Sequence, residues 1–455
     1  MPQPRPEPSS SRPPWAHCGQ GAGSERAFGC PGVRVAGRTA CLAHLDDVDR
    51  GAYPAGLSPG DDIDHRGTTF TQPLLDALLT ALRGSGTGHA RFGDTLFDSA
   101  IFEDDVLFGA VVFEDDVRFR SAVFKGIALF DSATFKGRAL FESVTFGSDV
   151  RFESATFTGD AGFESVIFTS DALFASAVFE SDARFTGAAF ERAAHLGPLT
   201  CAGLVTLSGA VFGGPVSLAF AARRLACRRT RWSSTAELRL RHTTVDFAHA
   251  VFEYPLTLAA ELDPFVLSDG QQVGEETVFG AVRVTSLRGV DAAHLVLADV
   301  GLGECLFTGT VHLDQIRLEG TCSFATVPSR AHGRAGRFVR FTRRRVLAEE
   351  HHWRASRPAA APGWDGAVPG AGHAGPAQLA PVYRALRKAL EDSKNEPGAA
   401  DFYYGEMEMR RHDRTGTTRA ERGLLHGYWL LSGYGLRASR PWAGSPPPCS
   451  SPSCC

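Results

Sequence analysis

The sequence predicts an all-β solenoid, and three features of its 32 phenylalanines predict it. Nineteen of them lie within residues 91–190, far more than an even spread over 455 residues gives. From Phe97 to Phe190 they recur in steps that alternate between five and six, so the repeat is eleven residues long. Ala or Val stands two positions before nearly every one, as in Val117 and Phe119. A helix cannot produce this spacing, whereas a repeat of short strands can.

Each Ala/Val-x-Phe triplet predicts one short strand with two inward side chains, because residues i and i−2 of an extended segment point to the same side. Two or three residues separate the triplets, as in Glu142-Ser143 and Gly147-Ser148-Asp149. Gly, Ser and Asp tolerate tight turns, so these residues are predicted corners. Four strands and four corners form a coil of about 22 residues, stacked about 4.8 Å from the next. The phenylalanines are therefore predicted to form internal ladders that contact no ligand.

The 11-residue units also carry a family resemblance. Phe157-Thr-Gly-Asp-Ala-Gly-Phe163 and Phe168-Thr-Ser-Asp-Ala-Leu-Phe174 resemble the Phe-rich branch of the pentapeptide-repeat proteins. The resemblance covers at least residues 92–190 and implies a right-handed quadrilateral β-helix. We assign residues 91–220 to this repeat domain.

The spacing continues with degenerate residues over 221–330, as at Phe252 and Leu313, which predicts a degenerate continuation of the β-helix. Arg223-Arg224 and residues 228–232 interrupt the pattern and predict a loop or a deformed coil.

Solenoid ends need caps, and the sequence predicts one at the N-terminal end of the repeat. Residues 1–17 are a predicted disordered tail, and residues 18–90 contain a Cys/His segment and a capping helix over Thr71–Arg83. That helix has Thr71 as its expected N-cap and one apolar face of leucines. On the other side come a basic stretch and flexible linker (331–381), a helical segment (382–437) and a low-complexity tail (438–455).

The N-terminal segment carries one set of metal-ligand residues. Cys18, Cys30, Cys41 and His44 supply three thiols and an imidazole, and the Cys41-Leu-Ala-His44 spacing can bind one tetrahedral zinc. Zinc would also contribute folding energy to a segment with little apolar content. Eleven residues separate the first two cysteines and there is no Cys-x-x-Cys pair, so unliganded thiols are the alternative.

No residue is assigned to catalysis or to an organic cofactor. Glu406, Glu408 and His412 offer carboxylates and an imidazole, but their place on a charged helix predicts a solvated face.

Charge is distributed unevenly along the chain. Residues 91–190 carry 17 acids and 8 bases, whereas residues 331–440 carry 11 acids and 19 bases. The acids recur at predicted corners: Asp104, Asp105, Asp115, Asp116, Asp149, Asp160, Asp171 and Asp182. Some pentapeptide-repeat proteins mimic DNA and occupy type II topoisomerases. The resemblance implies this role as one possibility, and an acidic flank formed by these corner aspartates would suit it. The other interpretation is that charged corners keep a solenoid soluble. Direct nucleic-acid binding is not expected.

Two basic segments indicate a membrane as a further candidate partner. Arg334–Arg345 could face anionic lipid or nucleic acid, or be solvated. Tyr383–His412, followed by residues 428–435, is similar to the segment that precedes membrane-spanning helices in long actinobacterial pentapeptide-repeat proteins. After Arg437 this sequence has Pro, Ser and Cys instead of apolar spans, which a truncation or frameshift would explain. We expect peripheral membrane contact through Arg334–Arg345 and residues 424–437.

Together these features predict a non-enzymatic scaffold or protein-interaction module with an unidentified protein partner. One alternative is a DNA-mimicking binder of a type II topoisomerase. A second is a membrane-associated oxidoreductase, for which the sequence offers no cofactor residue. Scattered cysteines and the lack of an apolar leader predict a cytoplasmic protein, peripheral at the inner face of the membrane if it binds there. Only four of the 47 basic residues are lysine, which together with the richness in Ala, Gly and Arg indicates a bacterial origin.

Overall fold

The computed structural model describes residues 12–23, 27–84, 86, 88–266, 270, 272–273, 281–328, 331–332, 338–339, 343–358, 360, 362–368 and 370–436. The chain divides into two compact units. The first comprises Met1–Thr244 and Ala260–Ala281, and the second comprises Val245–Ala259 and Val282–Cys455.

Short parallel strands build the first unit, and over the repeat each pairs in register with strands 22 residues before and after it. The two-residue strands are Ile63–Asp64, Thr69–Phe70, Arg91–Phe92, Thr95–Leu96, Ile101–Phe102, Val106–Leu107, Val112–Phe113, Val117–Arg118, Val123–Phe124, Ala128–Leu129, Thr134–Phe135, Ala139–Leu140, Thr145–Phe146, Val150–Arg151, Thr156–Phe157, Ala161–Gly162, Ile167–Phe168, Ala172–Leu173, Val178–Phe179, Ala183–Arg184, Ala189–Phe190, Val211–Phe212 and Arg231–Trp232. Longer strands are Ala194–Thr206, Val216–Ala226 and Ala236–Arg241, and Phe265–Val266 pairs antiparallel with Gln272–Val273. The predicted β-solenoid is confirmed.

The phenylalanines fill the interior as ladders, as predicted. Phe141 is fully buried and stacks between Phe119 and Phe163, with ring centroids 5.0 Å away on both sides and planes within 11°. One ladder continues from Phe212 to Trp232 at 4.2 Å. Residues 228–232 therefore do not leave the solenoid, because Trp232 takes an inward aromatic position. Arg223 and Arg224 lie in the strand Val216–Ala226 rather than in a loop.

The corners have their own chemistry. Every eleventh residue from Ser99 to Ser176 adopts a left-handed backbone with φ between 55° and 58°. Aspartates at other corners accept a hydrogen bond from a backbone N–H of the next coil: Asp105 from Ile127, Asp116 from Arg138 and Asp182 from Leu204, each at 2.8 Å. The recurring aspartates therefore join successive coils.

Two helices lie near the N-terminal end of the solenoid, α1 (Asp47–Ala55) and α2 (Gln72–Ala81). The predicted capping helix is α2, and its leucines Leu74, Leu75, Leu78 and Leu79 are buried. Thr71 makes no side-chain capping bond. Asp104 of the next coil accepts from the Gln72 N–H at 2.9 Å instead.

His65 replaces phenylalanine in the first coil and is fully buried. Its ring stacks on Phe97 at 6.4 Å, and neither ring nitrogen has a hydrogen-bond partner among the described residues. Burial lowers the pKa of His65 to about 4. A charged imidazole at this site would be unpaired in an apolar ladder.

The first unit is therefore expected to lose stability in mild acid. The unfolded chain binds a proton near pH 6.5 and the folded chain only near pH 4, so stability is complete above pH 6.5 and falls between these values by up to about 3 kcal/mol. Urea unfolding at pH 7 and pH 4.5 measures the loss. His65→Phe should remove this component, and an unaltered pH dependence in that variant would contradict the assignment.

Parallel strands also form the core of the second unit. Leu256–Ala259 pairs with Leu295–Ala298, and Leu295–Ala298 pairs in turn with Arg317–Glu319. Its further strands are Val251–Phe252, Arg283–Ser286, Ala325–Thr326, Ala331–His332, Phe338–Val339 and Arg345–Val346, while Thr244–Asp246 and Leu256–Ala260 each extend one residue beyond the unit boundary. Single-turn 3-10 helices are Leu42–His44 in the first unit and Ala292–His294 and Leu313–Gln315 in the second.

Four helices complete the second unit: α3 (Ala348–Ala355), α4 (Pro376–Asp392), α5 (Glu396–His412) and α6 (Arg419–Ser432). α4 contacts the last coil through Lys388 and Asp314, 2.7 Å apart, and α5 through the rings of Phe402 and Phe324. The helical segment was predicted to begin at residue 382, but α4 begins at Pro376, inside the predicted linker. Proline fits the first turn of a helix, where its missing N–H costs no hydrogen bond.

Candidate metal centre

The structure brings together all four predicted metal ligands. The Sγ atoms of Cys18, Cys30 and Cys41 and a ring nitrogen of His44 lie within 4.8 Å of one another. Cys30 Sγ is 3.7 Å from Cys41 Sγ, and His44 Nδ1 is 3.7 Å from Cys18 Sγ and 3.4 Å from Cys41 Sγ. Cys30 and Cys41 are buried, whereas His44 is exposed.

Two local structures bring these residues together. Residues 18–20 run antiparallel to residues 30–32, with Cys18 N–H donating to Gly32 at 2.8 Å and Cys30 N–H donating to Gln20 at 2.9 Å. Cys41 then precedes the 3-10 turn Leu42–His44, which returns His44 to it. Eleven intervening residues are therefore compatible with one site, because the chain reverses between Cys18 and Cys30.

Gly32 is a residue of this site that the sequence analysis missed. Its N–H points to Cys30 Sγ at 3.4 Å, and N–H donors of this kind stabilise a thiolate. A Cβ at Gly32 would lie 2.7 Å from the Cβ and 2.8 Å from the Sγ of Cys41. Only glycine allows this approach, and no spacing rule in the sequence marks it.

The distances fit a tetrahedral zinc site. Zn–S bonds of about 2.3 Å and Zn–N bonds of about 2.0 Å imply S···S edges of about 3.8 Å and S···N edges of about 3.5 Å. The three close contacts, at 3.4–3.7 Å, match these edges. Three thiols and one imidazole are also a common donor set of structural zinc sites.

The thiols of Cys30 and Cys41 shift each other's pKa in opposite directions. A hydrogen bond from Cys41 and the N–H of Gly32 outweigh burial and lower the pKa of Cys30 to about 5. The same contact, together with burial, raises the pKa of Cys41. A bound cation would favour loss of the protons from both thiols.

The site is attached to the first coil of the solenoid. Val33 N–H donates to the carbonyl of Arg66 in this coil at 2.7 Å. Within the N-terminal segment, Trp15 Nε1 donates to the Pro31 carbonyl at 2.7 Å. The Arg66 guanidinium lies 5.1 Å from the centre of the Trp15 ring. An ion that held the four ligands in place would therefore also hold in place the N-terminal segment that contacts this coil.

Glu406 and Glu408 do not form the predicted solvated face, since they are 2% and 5% exposed. Glu406 pairs with Arg384 and Arg387, and Glu408 pairs with Arg411 at 2.8 Å. Burial is the largest effect that lowers the pKa of the nearby His412 to about 4. These residues hold helices together.

One arginine of the predicted basic stretch Arg334–Arg345 is buried. Arg344 is 4% exposed and pairs with Glu350 at 2.5 Å, so it cannot meet a membrane. Arg343 is exposed, and Arg334, Arg337 and Arg340 lie outside the described residues.

Most acidic side chains of the acidic flank form ion pairs or hydrogen bonds within the solenoid. Every basic residue of 91–190 pairs with an acid: Arg91 with Glu114, Arg118 with Asp98, Arg120 with Glu142, Lys125 with Glu103, Lys136 with Glu114, Arg138 with Asp116, Arg151 with Asp131 and Arg184 with Asp160. Together with the Asp-to-backbone bonds, these contacts favour the structural interpretation of the acidic corners over DNA mimicry.

Comparison with known proteins supports the repeat. Residues 119–167 match the family described as pentapeptide repeats (9 copies). No curated protein and no solved structure gives a significant match.

Proposed function

Since the chain is a pentapeptide-repeat protein, we propose that it is a non-enzymatic scaffold whose N-terminal segment is held by a structural zinc ion. The observation that carries the zinc proposal is the match between the Cys30, Cys41 and His44 separations and the edges of a zinc tetrahedron. The ladders support the scaffold role, because they use the inward side chains for packing and leave the corners and ends for partners.

Zinc would supply crosslinking rather than catalysis. Cys18, Cys30, Cys41 and His44 would provide four ligands and leave no open position for substrate. The ion would join residues 18–20, 30–32 and 41–44, which contain little apolar surface to hold them together. Val33 and Trp15 both contact Arg66 of the first coil, so the zinc site would hold the N-terminal segment against the solenoid.

Metal analysis tests the proposed zinc site. The full chain, purified without chelator, should contain about one zinc per molecule, and cobalt substitution should give visible thiolate-ligand bands. Cys30→Ser combined with Cys41→Ser should reduce zinc to background, because two of four ligands are lost. Cys322→Ser, which removes a half-buried thiol outside the cluster, should keep one zinc. A zinc-free wild type, or full zinc in the double variant, would end the proposal.

We further propose that the outer face of α6 contacts an anionic membrane surface. Leu424 and Leu431 are 76% and 72% exposed, and Leu430 is 56% exposed. The opposite face packs through Leu425 and Trp429 onto α5 and Tyr434. Large apolar side chains on the outside of a helix with arginines near its start are typical of interfacial helices. No helix in the described part of the chain is long and apolar enough to cross a bilayer.

Vesicle sedimentation tests this contact. The protein should bind phosphatidylcholine vesicles that contain phosphatidylserine and bind pure phosphatidylcholine weakly. Leu424→Ser with Leu431→Ser should weaken binding by about tenfold or more, because two buried leucines would be lost from the lipid interface. Leu262→Ser, at a leucine 80% exposed in the first unit, is the control that should bind normally. Equal binding by all three proteins would contradict a role for α6.

A further inference from the structure

Arg223 and Arg224 differ from the basic residues of 91–190. Each basic residue of 91–190 meets an acid. Arg223 and Arg224 are adjacent and exposed, and neither has an ion pair or side-chain hydrogen bond among the described residues. Two neighbouring guanidinium groups without a counter-charge repel each other, so an anionic group from outside would stabilise them.

These arginines lie in a long strand and align with residues 202–204 of another long strand and with the corner 180–182. The register pairs Phe179 with Cys201 and Ala183 with Val205, which places Glu180–Asp182 beside Ala202–Leu204. It also pairs Leu204 with Arg224. We call these three aligned segments, 180–182, 202–204 and 223–224, the charge row. Their charges are −2, 0 and +2, one coil or about 4.8 Å apart.

The charges of the row are complementary to those of a second, identical row that runs in the opposite direction. The neutral segment 202–204 does not protrude at its centre, because Gly203 has no side chain. The Gly203 backbone lies so close to Asp182 that a Cβ at Gly203 would be 2.4 Å from the Asp182 Oδ1. When a second row is turned end for end about Gly203, the arginines of each copy lie opposite Glu180 and Asp182 of the other. This is the isologous arrangement that a two-fold axis produces.

We propose that a second copy of this chain binds at the charge row, antiparallel, through reciprocal pairing of Arg223 and Arg224 with Glu180 and Asp182. The pattern favours a second copy over nucleic acid, because the acids two coils away would repel a phosphate chain that follows the row. It also favours a second copy over a membrane, because the row carries no large exposed apolar side chain. Surface ion pairs are individually weak, so the association is concentration-dependent and salt-sensitive.

Sedimentation velocity of the full chain tests the proposal. Dimers should form as protein concentration rises at low salt and should dissociate in molar salt. Arg223→Glu with Arg224→Glu should raise the dissociation constant at least tenfold, and so should Glu180→Arg, which changes an exposed residue. Arg192→Glu, at an exposed arginine of another corner, should dimerise like the wild type.

Mixing the two charge-reversed proteins gives the decisive result. Each alone brings like charges together, but the mixture places the two introduced glutamates of one protein opposite the introduced arginine of the other and should restore a dimer. Circular dichroism and thermal melting confirm that each variant is folded. A wild type that stays monomeric, a double variant that dimerises normally, or folded variants that do not associate on mixing would overturn the proposal.

Discussion

Phe141→Asp is expected to destabilise the first unit by at least about 4 kcal/mol and to prevent its cooperative folding. Phe141 is fully buried and stacks between Phe119 and Phe163 at 5.0 Å on each side. An aspartate there would lose both ring contacts and bury a carboxylate with no cationic partner. Thermal melting followed by circular dichroism measures the effect.

Two further variants separate charge burial from a general intolerance to substitution. Phe141→Leu keeps an apolar side chain and should cost only about 1–2 kcal/mol, mainly through a small cavity. Leu107→Asp places the same charge at an outward position that is 46% exposed, and it should leave the melting temperature nearly unchanged. A melting temperature of Phe141→Asp equal to that of the wild type would show that the ladder side chains do not face inward.

The repeat could be predicted because its information is local. Alternation of five and six residues determines which side chains face inward, and the 22-residue pairing follows from four such strands in each coil. The interruption at residues 228–232 could not be resolved in the same way. Trp232 keeps its inward position on Phe212 although the residues before it depart from the motif, and only packing shows that.

The candidate zinc site was predicted by residue type, and its geometry was not. Cys18, Cys30, Cys41 and His44 could be named because few segments hold three thiols and an imidazole so close in sequence. The chain reversal that brings Cys18 to Cys30, and the need for Gly32 beside Cys41, are contacts between residues that no periodicity connects.

Glu406 and Glu408 were wrongly predicted to be solvated for a related reason. Charged residues on a helix normally face water, and nothing within α5 indicates otherwise. Their partners include Arg384 and Arg387 on α4 and Arg354 on α3, which the sequence does not place nearby. Burial of paired charges depends on tertiary contacts, which local patterns cannot report.

Glu350 lies at the centre of these buried charges in the second unit. It is completely buried, and its Oε1 accepts from Arg344 Nη2 at 2.5 Å and from Arg354 Nε at 2.6 Å. The Tyr383 hydroxyl donates to its other oxygen. Burial alone would raise the pKa of Glu350, but the two arginines lower it to about 2. The carboxylate therefore stays charged. Its ion pair with Arg344 joins α3 to the residue before the strand Arg345–Val346, and its hydrogen bond from Tyr383 joins α3 to α4.

Glu350→Ala is accordingly expected to cost about 3–5 kcal/mol, because it leaves the Arg344 guanidinium buried without a counter-charge. Hydrogen exchange measured by mass spectrometry should show faster exchange over residues 344–412 and no change in the ladders of the first unit. Removing both charges tests the cause. Arg344→Met with Glu350→Leu should be more stable than Glu350→Ala alone, since no unpaired charge remains and Arg354 keeps Glu408 at 3.2 Å. If the double variant were the less stable of the two, the network would act through its hydrogen bonds and packing rather than through charge neutralisation.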